Sequence, residues 1–218
     1  MRFMRVVALW RNRMMSNRIA SRLLAGIALW LLIPLSFADV PTVAQRCVGC
    51  HNTDGVTDHP QIPTLAGLGQ FYLEEQLAIF SAKARPCVVE ALEDDIDKCT
   101  VIGALTDAQK VRLAEFFDSL PYRPFEQEFD PELARRGEAI HAERCNRCHT
   151  DAGRSPRFDA AILAGQPIPY LVRQLEYFRA GERWQPKTMA SKTEDLDPEQ
   201  IEALAHFFAR SGLAQPFD

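Results

Sequence analysis

The sequence predicts a mostly α-helical protein built from two tandem copies of one helical unit. Three observations predict it. The first is a repeat. Arg46-Cys47-Val48-Gly49-Cys50-His51 returns as Arg144-Cys145-Asn146-Arg147-Cys148-His149, 98 positions on. The same offset pairs Leu65-Ala66-Gly67 with Leu163-Ala164-Gly165, Tyr72-Leu73 with Tyr170-Leu171, Gln76-Leu77 with Gln174-Leu175, Phe80 with Phe178 and Arg85 with Arg183. Identities at one fixed offset mark a duplicated unit. The second is helical spacing: Leu73, Leu77 and Phe80 stand at i, i+4 and i+7 and share one side. The third is that no segment alternates apolar and polar residues between turn signals, as a hairpin would.

The first 38 residues read as a leader. Six arginines (Arg2, Arg5, Arg11, Arg13, Arg18, Arg22) precede the apolar run Leu23 to Phe37, with no Asp or Glu. The run ends in Ser36-Phe37-Ala38, a small-x-small cleavage pattern. At about 15 residues the run is short for a membrane span. A secretory signal peptide over 1–38 is expected, with the mature chain starting near Asp39. An uncleaved leader anchoring the protein in the membrane is the alternative. Either way the body is expected outside the cytoplasm, in the periplasm, where disulfides form.

The first unit is read as 39–122 and the second as 131–218. Between them, three prolines and several charges from Pro121 to Pro131 read as a linker, placed at 123–130. Thr106 with Gln109 is a capping box ahead of Leu113, Phe116, Phe117 and Leu120. The equivalent helix starts at Asp197 with Pro198 in its first position and has Gly212 past its end. Here the offset falls to 91, so the first unit carries seven extra residues between Arg85 and Thr106, where Cys87 and Cys99 lie. Glu132 to Arg144 reads as a helix leading into the second cysteine motif.

Composition narrows the function. Charged residues make up 25% and hydrophobic residues 47% of 218, which excludes wholesale disorder and a multi-span membrane protein. With the leader's six arginines set aside, 19 basic residues face 29 acidic ones, a net of −10. General nucleic-acid binding needs the opposite balance. An acidic body suits partners with basic surfaces.

C-x-x-C-H is the attachment signature of haem c. Two thiols one helical turn apart add across the two vinyl groups, and the adjacent imidazole lies under the iron. Cys47, Cys50, Cys145 and Cys148 are therefore the expected anchors of two covalently bound haem c groups, with His51 and His149 as proximal ligands. A zinc site would need a second matching pair in each unit, and Cys87 and Cys99 have the wrong spacing. A redox C-x-x-C would need a βαβ context.

The sixth ligands differ. Of five methionines only Met189 lies beyond the leader, 40 residues past His149. It is the expected sixth ligand of the second haem, where a thioether raises the potential. The first unit has no Met. Candidates there are Cys99, Cys87, Lys98, His59 or an open position. Lys98 stands seven residues before Leu105, as Met189 stands seven before Leu196; Cys99 stands six before Leu105. The preferred reading joins Cys87 to Cys99 as a disulfide, which leaves neither as a thiolate ligand. His59 reads as a loop residue, His141 as a helix-surface residue and His206 as packed or partly exposed beside Phe207 and Phe208. Glu93, Asp94, Asp95 and Asp97 form an acidic run in the insertion, a solvated loop or a docking patch for a basic partner.

Taken as a set, these motifs resemble the dihaem cytochrome c4 family. The likeness covers nearly the whole chain past the leader: C-x-x-C-H, Leu-Ala-Gly, Tyr-Leu-x-x-Gln-Leu-x-x-Phe, a ligand loop and a capped helix, all twice. It implies two class I cytochrome c domains in a pseudo-two-fold arrangement, meeting at their haem edges. It also implies that Pro63 braces His51, with Ala161 in the equivalent place of the second unit. The second unit is similar as well to the haem subunit of flavocytochrome c sulfide dehydrogenases, through Ile162-Leu163-Ala164-Gly165-Gln166, Pro169-Tyr170-Leu171 and Met189-Ala190-Ser191-Lys192. The expected function is electron transfer between redox proteins, with a flavoprotein subunit or a terminal oxidase as candidate partners. The alternative is an enzyme resembling dihaem thiosulfate dehydrogenases, with Cys99 or Cys87 as a thiolate ligand at the first haem.

Overall fold

The computed structural model of the chain describes residues 40–88 and 96–213, apart from the side chain of Phe158. The expected leader over 1–38, the start at Asp39 and the acidic residues Glu93, Asp94 and Asp95 lie outside the described residues. Among the described residues there is no β-strand, and no helix is long and apolar enough to cross a membrane.

The helices run in chain order. In the first half they are α1 (Val48–His51), α2 (Gln70–Ser81), α3 (Lys98–Gly103) and α4 (Asp107–Asp118). In the second half they are α5 (Pro131–Ile140), α6 (Ile168–Ala180), α7 (Lys187–Thr193) and α8 (Pro198–Ser211). The repeat is visible in them: α2 corresponds to α6, α3 to α7 and α4 to α8.

Local chemistry explains the boundaries. At α4, Thr106 Oγ1 accepts from Gln109 N at 3.3 Å and Thr106 N donates to Gln109 Oε1 at 2.9 Å. At α8, Asp197 Oδ1 accepts from Gln200 N at 2.8 Å and Asp197 N donates to Gln200 Oε1 at 3.0 Å. Both are capping boxes, each satisfying amides the helix itself leaves open. Asp130 caps α5 by accepting from Glu132 N and Leu133 N.

The Leu-Ala-Gly segments act as clasps. Leu65 N and Ala66 N donate to Gly55 O, and Leu163 N and Ala164 N to Gly153 O. The glycine of each clasp then donates to the last turn of its long helix: Gly67 N to Phe117 O at 2.9 Å, Gly165 N to Phe208 O at 2.8 Å. Gly165 has φ +78°, and a Cβ there would stand 2.4 Å from Pro124 Cβ. Glycine meets both the dihedral and the close approach.

Each half has its own apolar core. Leu68, Leu73, Leu113 and Phe117 fill the first, and Leu171, Ile201, Leu204 and Phe208 the second. Ile162 of the second half inserts into the first core. A second close approach sits where α5 crosses α8: a Cβ on Gly137 would lie 2.0 Å from Ala203 O. A side chain there would hold the two helices apart.

Two features depart from the sequence reading. The helix expected through Arg144 is α-helical only to Ile140 and continues as a wider π turn over His141–Cys145, closed by Asn146 N to His141 O at 2.9 Å. Such turns insert an extra residue and reorient the side chains beyond it. The segment between the halves is strapped to the second half. Tyr122 Oη donates to Ala164 O, Phe125 N to Gly165 O, and Gln127 Nε2 to Gln166 O.

Candidate functional site

In the first half, Cys47 sits at the N-cap of α1, while Cys50 and His51 lie within it. One helical turn thus presents the two sulfurs on one side with the imidazole next to them. His51 Nδ1 lies 3.0 Å from Pro63 O. That contact fixes Nδ1 as the donor and leaves the Nε2 lone pair free for a metal. Burial pushes the His51 imidazole down to about 4, so it is neutral, as a ligand must be. Phe117 meets the ring edge-on at 6.4 Å between centroids.

Beside these residues opens a largely apolar cavity, continuous with solvent. Leu73, Leu77 and Phe80 of α2 line it. This explains why Leu77 and Phe80, on the predicted apolar side of their helix, stay only half-buried. Tyr170, Gln174 and Tyr177 of α6 line the same cavity from the other half. The group fits haem c: two unpaired thiols a helical turn apart, a buried neutral imidazole with Nδ1 held, and apolar walls.

The second motif is built differently. Cys145 ends the π turn, and burial pushes its thiol up to about 11. His149 is buried, which lowers its basicity. Its Nδ1 faces the Ala161 backbone without closing a hydrogen bond of good length and angle. Alanine therefore does not reproduce the brace that Pro63 gives His51. The backbone at His149, rather than its ring, is held by another residue. His141 Nε2 lies 2.8 Å from His149 O, and its ring stacks on Phe207 at 4.8 Å and edge-on to Phe208 at 5.6 Å. His141 is 4% exposed, which corrects its reading as a surface residue. It lies one turn past Gly137, on the face that glycine brings against α8. The spacing Ala134, Gly137, His141 was the signal in the sequence, because small residues at i and i+3 mark a buried stripe.

Met189 is the third residue of α7 and is half-buried. Helix α7 lies near the second motif: the Lys192 charge acts on the Cys145 thiol, and Arg144 pairs with Asp195 just past α7. In the first half, Cys87 and Cys99 are joined as a disulfide with Cα atoms 5.2 Å apart. Their sulfurs bond to each other, so neither offers a thiolate to iron in this structure. The proposed ligand role of Cys99, and the enzyme alternative built on it, lose their donor atom. His59 stays in the loop between His51 and Pro63, where its Nδ1 accepts from Gln61 N. His206 Nδ1 accepts from Asp130 N at 2.9 Å. Lys98 lines the first cavity, and burial, then the charges of Arg85 and Arg173, push its ammonium down to about 8.

The junction between the halves is held by residues whose contacts the sequence reading did not assign. Arg85 donates to Gln76 Oε1 and Gln174 Oε1, both at 2.7 Å. Arg183 donates to Gln174 Oε1 at 2.8 Å and Gln76 Oε1 at 2.7 Å. Each guanidinium also covers the phenylalanine of its own half, Phe80 at 4.2 Å and Phe178 at 4.4 Å. Burial, then the neighbouring charge of Arg183, lowers Arg85 to about 10. Gln166 adds a second lock: its side chain accepts from Thr64 N at 3.0 Å and donates to Thr64 O at 2.9 Å, with both residues buried. The ring residues were visible as repeat identities; Gln166 has Leu68 in the equivalent position and left no such signal.

Comparisons with known proteins agree with this architecture. A family model described as "Cytochrome C oxidase, cbb3-type, subunit III" matches residues 132–208. Cytochrome c4 of Azotobacter vinelandii is 30% identical over 151 residues, covering 64% of this chain and 70% of that protein. A thiosulfate dehydrogenase electron acceptor of Thiomonas intermedia is 29% identical over 161 residues, covering 72% and 73%. The crystal structure of reduced recombinant cytochrome c4 from Pseudomonas stutzeri superposes with a TM-score of 0.64 at 27% identity, covering 76% of this chain and 93% of that one. Identity of this degree, across 70% of a named relative and on the same helical fold, places the chain in the dihaem cytochrome c4 family of electron-transfer proteins.

Proposed function

We propose that the chain is an exported, periplasmic electron shuttle carrying two covalently bound haem c groups. The units are 39–122 and 131–218, joined at 123–130 and preceded by a cleaved signal peptide over 1–38. Cys47 and Cys50 anchor the first group and Cys145 and Cys148 the second. His51 and His149 are the proximal ligands, and Met189 is the sixth ligand at the second site. When bound, each haem supplies a one-electron FeII/FeIII couple. The residues bury the groups, hold His51 with its Nε2 free, and present an acidic surface to redox proteins with basic docking faces. Relatives that serve as electron acceptors of a thiosulfate dehydrogenase support a partner of that kind.

The observation that carries this reading is the His51 to Pro63 contact at the mouth of the apolar cavity, with two unpaired thiols beside it. The test is haem counting by intact mass under denaturing conditions. The native chain should retain two haems, and Cys47→Ser with Cys50→Ser should retain one. Met189→Ala should abolish the sulfur-to-iron charge-transfer band of the oxidised protein. A chain that releases both haems on denaturation refutes covalent attachment.

A further inference from the structure

The first unit contains no methionine, yet α3 in the first half and α7 in the second occupy corresponding places. Met189 is near the start of α7. At the start of α3 stands Lys98, seven residues ahead of Leu105 in the segment after the helix, as Met189 is seven ahead of Leu196 after α7.

The structure assigns Lys98, which lines the same cavity as His51, as the sixth ligand of the first haem. This rests on the reading that Cys47, Cys50 and His51 hold a haem there. Several observations converge on it. Lys98 and His51 line the same cavity, and the charge of the one is felt by the imidazole of the other. Lys98 is the one amine among the described residues lining it. The arginines that share the cavity hold no lone pair for a metal. Of the rival donors the sequence offers, Cys87 and Cys99 are bonded to each other, and His59 is not among the residues that line the cavity. Among the described residues, no carboxylate forms an ion pair with the Lys98 side chain, and the charges of Arg85 and Arg173 act against its ammonium.

The seven-residue insertion gains a role on this assignment. Lys98 N donates to Cys87 O at 2.9 Å, and the next residue is the disulfide partner of Cys87. On its other side, Asp97 caps α3 by accepting from Thr100 N and Thr100 Oγ1. Lys98 is thus clamped from both neighbours, with its side chain directed to the cavity. Coordination takes the lone pair of Nζ and releases its third proton to solvent. Nitrogen on both faces, against nitrogen and thioether at the second site, sets the first potential below the second.

The test uses the full holoprotein, with haem number determined by mass before spectroscopy. In the oxidised native protein both haems should be low-spin, and a single sulfur-to-iron band should account for one of them. Lys98→Ala should convert one haem to high-spin and open it to added imidazole, while the Met189 band persists. Lys98→Arg, which keeps the charge and loses the lone pair, should do the same and so separates ligation from ion pairing. Lys98→Met should raise the sulfur-to-iron band about two-fold by giving the first haem a thioether. Two haems with spectra unchanged in all three variants overturn the ligand assignment alone, as does a first haem already high-spin in the native protein. A native chain carrying one haem overturns both this assignment and the dihaem reading beneath it.

Discussion

Arg85 and Arg183, equivalent residues 98 positions apart, each donate to the same two glutamine oxygens, Gln76 Oε1 and Gln174 Oε1. Every member of this ring is matched by its counterpart in the other half. The ring therefore reads as the two-fold element of the duplication: each half supplies one arginine and one glutamine, and neither half satisfies its own side chains alone. Each oxygen takes two charge-assisted bonds in a buried setting, where such bonds are strong and an unpaired partner is costly.

Replacing Gln174 with Leu removes an acceptor from both arginines. Destabilisation of about 2–4 kcal/mol is expected, because two charged donors lose a bond each. Urea unfolding of the holoprotein measures it. Adding Gln76→Leu should cost less than the sum of the two single changes, since one ring is broken twice.

Gly137→Ala should be severe for so small a change. The added methyl would stand 2.0 Å from Ala203 O on the facing helix, so α5 and α8 must separate. A loss of at least about 1–3 kcal/mol is expected from overpacking. A lower thermal midpoint together with a weaker hold on His141 would show it. A midpoint equal to the native one would mean the crossing is looser than described.

Removing the disulfide through Cys87→Ser with Cys99→Ser should cost about 3 kcal/mol in the chain-entropy model, given its separation of 12 residues. Reduction of the native protein should produce the same shift in the unfolding midpoint, and the double variant should be insensitive to reductant.

His141 should contribute to acid sensitivity, beside His51 and His149, whose imidazoles burial also holds below the ordinary value. Burial lowers the affinity of His141 for a proton, against weaker opposing effects from the His149 carbonyl and Glu138. The unfolded chain then binds a proton more readily than the folded one. Stability should be full above about pH 6.5, the ordinary histidine value, and should fall as the pH drops below it. His141→Gln should flatten the dependence of the urea midpoint between neutral and mildly acidic pH. An unchanged slope would assign the sensitivity to another group.

Much of the site was legible because its chemistry is short-range. The spacing of C-x-x-C-H keeps both thiols and the imidazole within five residues, on one helical turn at Cys47–His51 and past the end of a π turn at Cys145–His149. The capping boxes at Thr106 and Asp197 need only residues three apart. The Leu-Ala-Gly repeat was legible as part of the duplication, but the clasp it forms on Gly55 and Gly153 was not, because those carbonyls lie ten residues back in a loop. His141 was misread because its burial depends on a helix 60 residues further along the chain. Gln166 stood in a family motif, but its lock was not legible because its partner, Thr64, is 102 residues away and neither residue belongs to the repeat.

By itself, then, the sequence determined the duplication, the helical class, the two C-x-x-C-H motifs and the inequality of the two halves, since the one methionine beyond residue 38, Met189, falls in the second half. The tertiary structure decided how the halves close on each other. It crossed Arg85 and Arg183 over a shared pair of glutamines, set His141 behind His149, and turned Lys98 into the first cavity beside a disulfide. The physical reason is range: motif spacing fixes side chains within a turn or two of helix, whereas partners about 100 residues apart are chosen only when buried polar groups must find one another in a packed interior.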